Sequence, residues 1–348
     1  YIQEIFTGKS GAVVVMDVNN GELLASASFP EFDNNIFARG ISVKEWNEMR
    51  NDFNHPFTNK IINGLYPPGS VIKMGVALSF LDNGIGDNFS VNCSGSLTIG
   101  NRNFRCWKST GHGSVNFRKA IAESCDDFFY KGSLKIGINK ISHTLDKLGF
   151  GEQTGIDQIN EFSGVNPNKE WKEKRYKEPW YVGETVITSI GQGNMLVTPL
   201  QIARYTSYIA TGKLPKPHFY KANYEEPKDI GIPTKYLDVL RKGMYDVSYA
   251  QKGTAIRHIN SKITIASKTG TAQVVSIPQS EKVRMKESEL QYYERSHAWI
   301  TTYGPFENPQ YAVTVIEEHG GHGGEAAGDI TSKIYDKLLE LGYIKQKE

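Results

Sequence analysis

The apolar residues of this chain fall into a few well-separated runs, and their spacing predicts the elements. Residues 11–17, Gly-Ala-Val-Val-Val-Met-Asp, form a continuous β-rich run of the kind found in a buried strand. Asn19-Asn20-Gly21 is a hairpin turn signal, and 22–28 reads as the return strand. Residues 71–81 are apolar at helical spacing and stop at Asp82-Asn83-Gly84, a helix-ending signal. Further helices are expected at 43–49, 117–123, 127–135, 139–148 and 234–249, with a terminal one at 329–341. Another starts at Thr198-Pro199, with proline in its first turn, and runs to about residue 210. Residues 263–275, 298–303 and 311–317 read as strands. Between these lie a loop-rich stretch at 29–69, a polar and aromatic loop at 151–184, and a solvated polar insertion at 276–296. Residues 84–149 read as a mostly helical lobe, despite the glycine, serine and asparagine concentrated in 84–115.

Two N-terminal strands, a helical middle, and three C-terminal strands followed by a helix predict an α+β fold. Strands from both ends complete one five-stranded antiparallel sheet flanked by helices, with a helical lobe beside it and the site in the cleft between. Residues 11–30 and 254–348 make the sheet part, and 70–250 the mainly helical part. The composition is globular, with 39% hydrophobic and 22% charged residues among 348. Forty Lys and Arg balance 38 Asp and Glu, so no basic excess points to nucleic acid. No apolar stretch is long enough to cross a bilayer, and no signal peptide is present. The abrupt start at Tyr1, in what reads as the end of a helix, suggests a fragment of a longer protein.

The candidate chemistry lies in three short motifs. Ser70-x-x-Lys73 follows Pro67-Pro68-Gly69, so Ser70 stands in the first turn of the 71–81 helix with Lys73 one turn on. A serine hydroxyl needs a base in reach, and a lysine serves only if burial or a neighbouring cation lowers its pKa. Ser124-x-Asp126 falls at a break between helices, and Lys268-Thr269-Gly270 falls in a strand. Taken singly, these read as a capping serine with a solvated lysine, and an edge-strand lysine with a bulge glycine. Together they occupy the places where an acyl-transfer site needs them.

The trio resembles that of penicillin-binding proteins and serine β-lactamases. Tyr-Pro-Pro-Gly-Ser-Val-Ile-Lys at 66–73, Ser-Ile-Gly-Gln-Gly at 189–193, Lys-Thr-Gly-Thr-Ala at 268–272, His-Ala-Trp at 297–299 and the opening run at 11–17 extend the likeness over nearly the whole chain. They resemble the transpeptidase domain of class B penicillin-binding proteins, of the penicilloyl-serine transferase fold. The middle motif usually ends in Asn; Asp126 resembles the elongation branch, the penicillin-binding protein 2 group, rather than the division branch. The resemblance implies a D,D-transpeptidase that joins peptidoglycan stem peptides and is acylated by β-lactams. Ser70 is then the nucleophile, and Lys73, kept neutral by Lys268, the base. Ser124 relays a proton. Asp126, which as a carboxylate would oppose the base role of Lys73, instead holds that lysine or binds the peptide amide. The amides of Ser70 and Thr271 form the oxyanion hole. Lys268, Thr269, Gly270, Thr271 and Trp299 border the substrate. The alternatives are a D,D-carboxypeptidase or β-lactamase of the same chemistry, and a non-catalytic scaffold or penicillin sensor. The resemblance also implies a periplasmic domain at the inner membrane, an N-terminal membrane helix and a pedestal outside this chain, and two partners: a SEDS-type glycan polymerase and an MreC-type scaffold protein.

The cysteines add a metal candidate. Cys93, Cys106, His112 and Cys125 read Cys-x12-Cys-x5-His-x12-Cys, a complete Cys₃His set for tetrahedral Zn²⁺ in a glycine-rich stretch (84–126) short of apolar residues. A metal there would fix Ser124 through its neighbour Cys125. Some elongation-branch relatives resemble this, with carboxylate, His and Cys ligands. The alternative is a Cys93–Cys106 disulfide with Cys125 buried and free. His319 and His322 lack a third ligand of obvious spacing. Trp180 and Tyr181 read as groove or core aromatics, and Gly191-Gln192-Gly193 lacks the frame of a nucleotide loop.

Overall fold

A computed structural model describes residues 1–275 and 287–345. Five strands build the main sheet: β1 (Gly11–Asp17), β2 (Leu23–Phe29), β7 (Ala266–Ala272), β8 (His297–Gly304) and β9 (Tyr311–Glu317). Their order is β2-β1-β9-β8-β7, antiparallel throughout, so strands from the two ends of the chain pair at the centre. Six successive buried residues in β1 require cover on both faces of the sheet. Pro199–Thr211 packs on β1 and β9, Gly323–Glu340 on β8 and β9, and Lys235–Tyr249 on β7. β7 forms one edge of the sheet.

The 71–81 helix is present, with a tighter start. Gly69–Ile72 is a 3₁₀ turn, and the α-helix runs Lys73–Asp82, with every residue from Lys73 to Leu81 buried. The terminal helix begins at Gly323, earlier than the expected 329, because packing on β8 overrides the poor helix propensity of its glycines. The 151–184 loop contains two short helices, Lys169–Tyr176 and the start of Val182–Thr188. Of the polar insertion expected at 276–296, residues 276–286 lie outside those described. The remainder holds the 3₁₀ turns Glu287–Glu289 and Tyr292–Glu294.

The main correction concerns 84–116, which is not helical. It forms two small antiparallel pairs: β3 (Ser90–Cys93) with β6 (Gly113–Asn116), and β4 (Ser96–Ile99) with β5 (Arg102–Arg105). Asn, Ser and Gly disfavour helix interiors, and alternating Leu97, Ile99 and Phe104 have a small core of their own to cover, with Tyr130 and Val186. The register matters for the cysteines: it sets Cys93 opposite Gly113, beside His112, while the β4–β5 hairpin returns Cys106 to Gly95 through a 2.8 Å backbone bond.

Candidate active site

Close backbone approach creates the site. The turn carrying Ser70 lies against β7, and two glycines permit it. Gly69 has φ +53°, and a side chain there would strike the Thr271 carbonyl at 2.8 Å; one on Gly270 would meet Val71, the Pro68 carbonyl and Trp299 at 3.0–3.1 Å. The Gly69 N–H donates to the Gly191 carbonyl (2.9 Å), and Gln192 Nε2 reaches the Thr271 carbonyl (3.4 Å), so the 189–193 segment clasps the same turn. Ser70 is half-buried at the edge of the sheet.

Behind it, three separate elements converge. Lys73, fully buried, donates to Asp126 Oδ1 (2.6 Å), the Ser124 carbonyl (2.9 Å) and Ser124 Oγ (3.2 Å). Lys268, also fully buried, donates to the same Ser124 Oγ (3.0 Å) and to the Thr269 carbonyl (2.9 Å). Ser124 holds φ +53°, an uncommon conformation for a residue with a side chain. It ends the Phe117–Ala122 helix segment, with its N–H on the Ile121 carbonyl, before Asp126–Ile136 begins. Asp126 thereby occupies the first turn of a helix, where a carboxylate is favoured. Its second oxygen accepts the Trp107 N–H at 2.8 Å.

The two lysines of the cluster differ in their surroundings. The one carboxylate of the cluster, Asp126, contacts Lys73 and not Lys268. Burial first, and then the Lys73 charge, push the Lys268 pKa well below its usual value, with Asp126 opposing. The carboxylate foreseen as uncomfortable beside Lys73 is indeed its direct partner.

Trp299, expected at the substrate, is corrected. Its side chain is fully buried, donates from Nε1 to the Pro67 carbonyl (3.1 Å) and packs edge-on against Tyr66. It supports the nucleophile turn from beneath. Thr269 is nearly buried, and its hydroxyl shares a 2.7 Å hydrogen bond with that of Thr254. Thr271 is half-buried beside Ser70's turn. Reading the motifs alone misses Thr254 and Trp107, of which only Trp107 gave a signal, by its adjacency to Cys106; Gln192 lies in the 189–193 stretch that carries the resemblance, with no role assigned to it there.

The four proposed metal ligands also meet. Cys93, Cys106, His112 and Cys125 are all buried, and their ligand atoms lie within 4.8 Å of one another. His112 Nδ1 is 3.5 Å from both Cys93 Sγ and Cys106 Sγ, and all three thiols are free. Tetrahedral zinc with these donors sets N···S at about 3.5 Å, so the donor set and the two N···S spacings fit the ion. His319 and His322 belong to no such group among the described residues.

Comparison with known proteins gives the same picture. The family described as "Penicillin binding protein transpeptidase domain" matches residues 11–339. Peptidoglycan D,D-transpeptidase MrdA of Haemophilus influenzae is 37% identical over 97% of this chain and 54% of its own length. MrdA of Escherichia coli K12 is 36% identical over 97% of this chain and 56% of its own. The chain thus spans about half the length of the curated relatives it matches. Among solved structures, penicillin-binding protein PBP2 of Helicobacter pylori in complex with MreC superposes with a TM-score of 0.92 at 47% identity, covering 98% of this chain and 62% of that one. PBP2 of Pseudomonas aeruginosa in complex with WCK 5153 gives 0.86 at 33%, covering 97% and 76%. On these grounds, and with the three motifs gathered at one edge of the sheet, the chain belongs to the penicillin-binding protein transpeptidase domain family.

Proposed function

We propose that this chain carries the D,D-transpeptidase activity of a penicillin-binding protein 2, cross-linking peptidoglycan stem peptides through an acyl-enzyme on Ser70. One observation carries the reading: a single hydroxyl, Ser124 Oγ, stands 3.2 Å from Lys73 Nζ and 3.0 Å from Lys268 Nζ, behind a serine held at an open strand edge. An extended peptide adds to the free edge of β7 by backbone pairing, with its terminal carboxylate toward Lys268, Thr269 and Thr271. Once Lys73 has passed one proton through the Ser124 hydroxyl, which contacts both amines, to the Lys268 amine, the lone pair so freed on Lys73 takes the Ser70 proton as Ser70 Oγ attacks the carbonyl carbon of the penultimate residue. The Ser70 and Thr271 amides receive the developing oxyanion. As the tetrahedral intermediate collapses, the peptide C–N bond breaks, and Ser124, resupplied from the two lysines, protonates the departing amine. The amine of a second stem peptide then attacks the ester and restores Ser70. Asp126 keeps Lys73 aimed at the site, and Trp107 keeps Asp126 in place.

Cys93, Cys106, His112 and Cys125 are the residues that would hold a Zn²⁺ ion, which would supply rigidity to 93–125 rather than chemistry. Within the chain, 11–30 and 254–348 form the sheet part and 70–250 the mainly helical part. The whole protein adds an N-terminal membrane helix and a pedestal and works at the periplasmic face of the inner membrane. An MreC-type scaffold and a SEDS-type glycan polymerase are its partners; the MreC complex of the Helicobacter pylori protein supports the first of these.

Labelling with a fluorescent penicillin tests the reading. Intact protein gains a stable label that Ser70→Ala abolishes. Steady turnover of the drug means a hydrolase instead, and absence of labelling means a non-catalytic scaffold.

A further inference from the structure

A second lysine–carboxylate pair, its lysine buried and its carboxylate partly so, lies beside the segment that leads into the nucleophile turn, and the acyl-transfer scheme makes no use of it. Glu318, immediately after β9, receives Lys60 Nζ (2.6 Å), the Tyr66 hydroxyl (2.7 Å) and the Ser10 hydroxyl. Lys60 is 1% exposed, and its ammonium has three acceptors: Glu318 Oε2, Ser10 Oγ and the Phe29 carbonyl, each at 2.6 Å. The set draws on β9, the residue before β1, the end of β2 and the segment entering Tyr66-Pro67-Pro68-Gly69-Ser70.

Replacing a buried ion pair by well-packed apolar side chains is often neutral or stabilising, so stability is a weak reason for keeping one. Geometry is a better reason here. Tyr66 is four residues from Ser70, and the two prolines between them fix φ, making the link stiff. Tyr66 is held at three points. Its backbone exchanges both hydrogen bonds with Val197, its ring packs against His297 and Trp299, and its hydroxyl ends on Glu318. Pro67 is tied to β8 through Trp299. Trp299 thus fastens the stiff link to β8, which pairs with the strand that carries Thr271, and Glu318 fastens it to the end of β9, one strand further in. A shift at Tyr66 passes along the prolines and changes the placement of Ser70 against Thr271.

We infer that Glu318 is a positioning residue for the nucleophile, acting through the Tyr66 hydroxyl and held in place by Lys60. The inference rests on the acyl-transfer reading above, and a role of this kind shows in the chemical step rather than in binding. Displacement of a reacting group by about 1 Å costs up to about a hundredfold in rate.

The test uses Tyr66→Phe, which removes one oxygen, and Glu318→Gln, with rapid-mixing acylation by a chromogenic cephalosporin. These kinetics separate the acylation rate constant from the preceding binding constant, both normalised to folded protein. Each variant is expected to acylate about ten- to a hundredfold more slowly with binding changed less than about twofold. The double variant is expected to be no slower than the worse single one, because both break the same link. Unchanged acylation by folded Tyr66→Phe overturns the inference. So does a loss confined to binding, or one that disappears on correction for unfolded protein, or a fully additive double variant. If Glu318→Gln fails to fold, Tyr66→Phe still decides. Failure of wild-type protein to acylate at all sinks the acyl-transfer reading itself, and is distinct from every outcome with the variants.

Discussion

Two lysine–carboxylate pairs with buried lysines lie beside the turn that carries Ser70 and the segment leading into it, and they are built differently. Lys73–Asp126 and Lys60–Glu318 share the same 2.6 Å separation. In the second, one cation meets one anion, and burial's upward push on Glu318 is outweighed by Lys60 and the Ser10 and Tyr66 hydroxyls, so its pKa falls below the usual value. In the first, a second buried lysine, Lys268, joins the cluster without a carboxylate of its own. Burial, and after it the charge of Lys73 at the same hydroxyl, lower the Lys268 pKa, which the single anion opposes. The charge-balanced cluster holds the backbone in place, whereas the cluster with surplus cation is suited to moving protons.

The sharpest way to break this comparison is to remove a lysine from each cluster. Lys73→Ala should lower penicillin acylation by roughly 10²–10⁴-fold, the usual worth of a general base. The apolar exchange Lys60→Met/Glu318→Leu should leave the melting temperature within a few degrees of wild type, since such pairs contribute little net stability. A collapse of folding in the second, or full activity in the first, would dissolve the distinction. Next in size is the metal. Treatment with a strong chelator should lower the melting temperature and the acylation rate together, and elemental analysis of freshly purified reduced protein should find about one zinc per chain. Protein that retains both properties without zinc would separate the Cys₃His cluster from the site.

A smaller effect is expected at Thr254. Its hydroxyl shares a hydrogen bond with Thr269, which faces the substrate carboxylate in the proposed scheme. Thr254→Val should weaken binding of carboxylate-bearing β-lactams several-fold, the worth of one hydrogen bond, and leave the acylation rate constant nearly unchanged. Titration of binding against an amide analogue reads the difference. The smallest effect concerns His297, whose Nδ1 accepts the His319 N–H. Burial, and then His319, push its pKa from 6.5 down to about 4. Its stabilising contribution is full above pH 6.5 and is lost as pH falls toward 4, because the unfolded chain binds a proton there that the folded one refuses. His297→Asn should therefore flatten the melting-temperature profile between those values; an unchanged profile would contradict the assignment.

The centre of the main sheet was legible because β1 and β9 are apolar runs set off by turn signals. β1 and β9 were expected at the bounds observed. The meeting of Lys73, Ser124, Asp126 and Lys268 was legible because the motifs fix their type and order. The hairpins of 84–116 were not, since β3 to β6 have four residues each, too few for the alternation of Leu97 and Ile99 to stand out among glycine, serine and asparagine. Yet the four residues of the Cys₃His cluster were picked out from residue type alone, and they do lie together. Trp299 was misplaced because a motif names a residue without saying which face of the strand it occupies. Lys60, Tyr66 and Glu318 escaped as a group because their partnership exists only after the two ends of the chain pair in one sheet.

The central claim is that Ser70 is the acylated residue of this cleft. Peptide mapping by mass spectrometry after brief exposure to benzylpenicillin tests it directly. The prediction is one penicilloyl adduct per chain, confined to the peptide containing Ser70 and absent from Ser70→Ala. An adduct on another residue, or none on folded protein, would contradict the account.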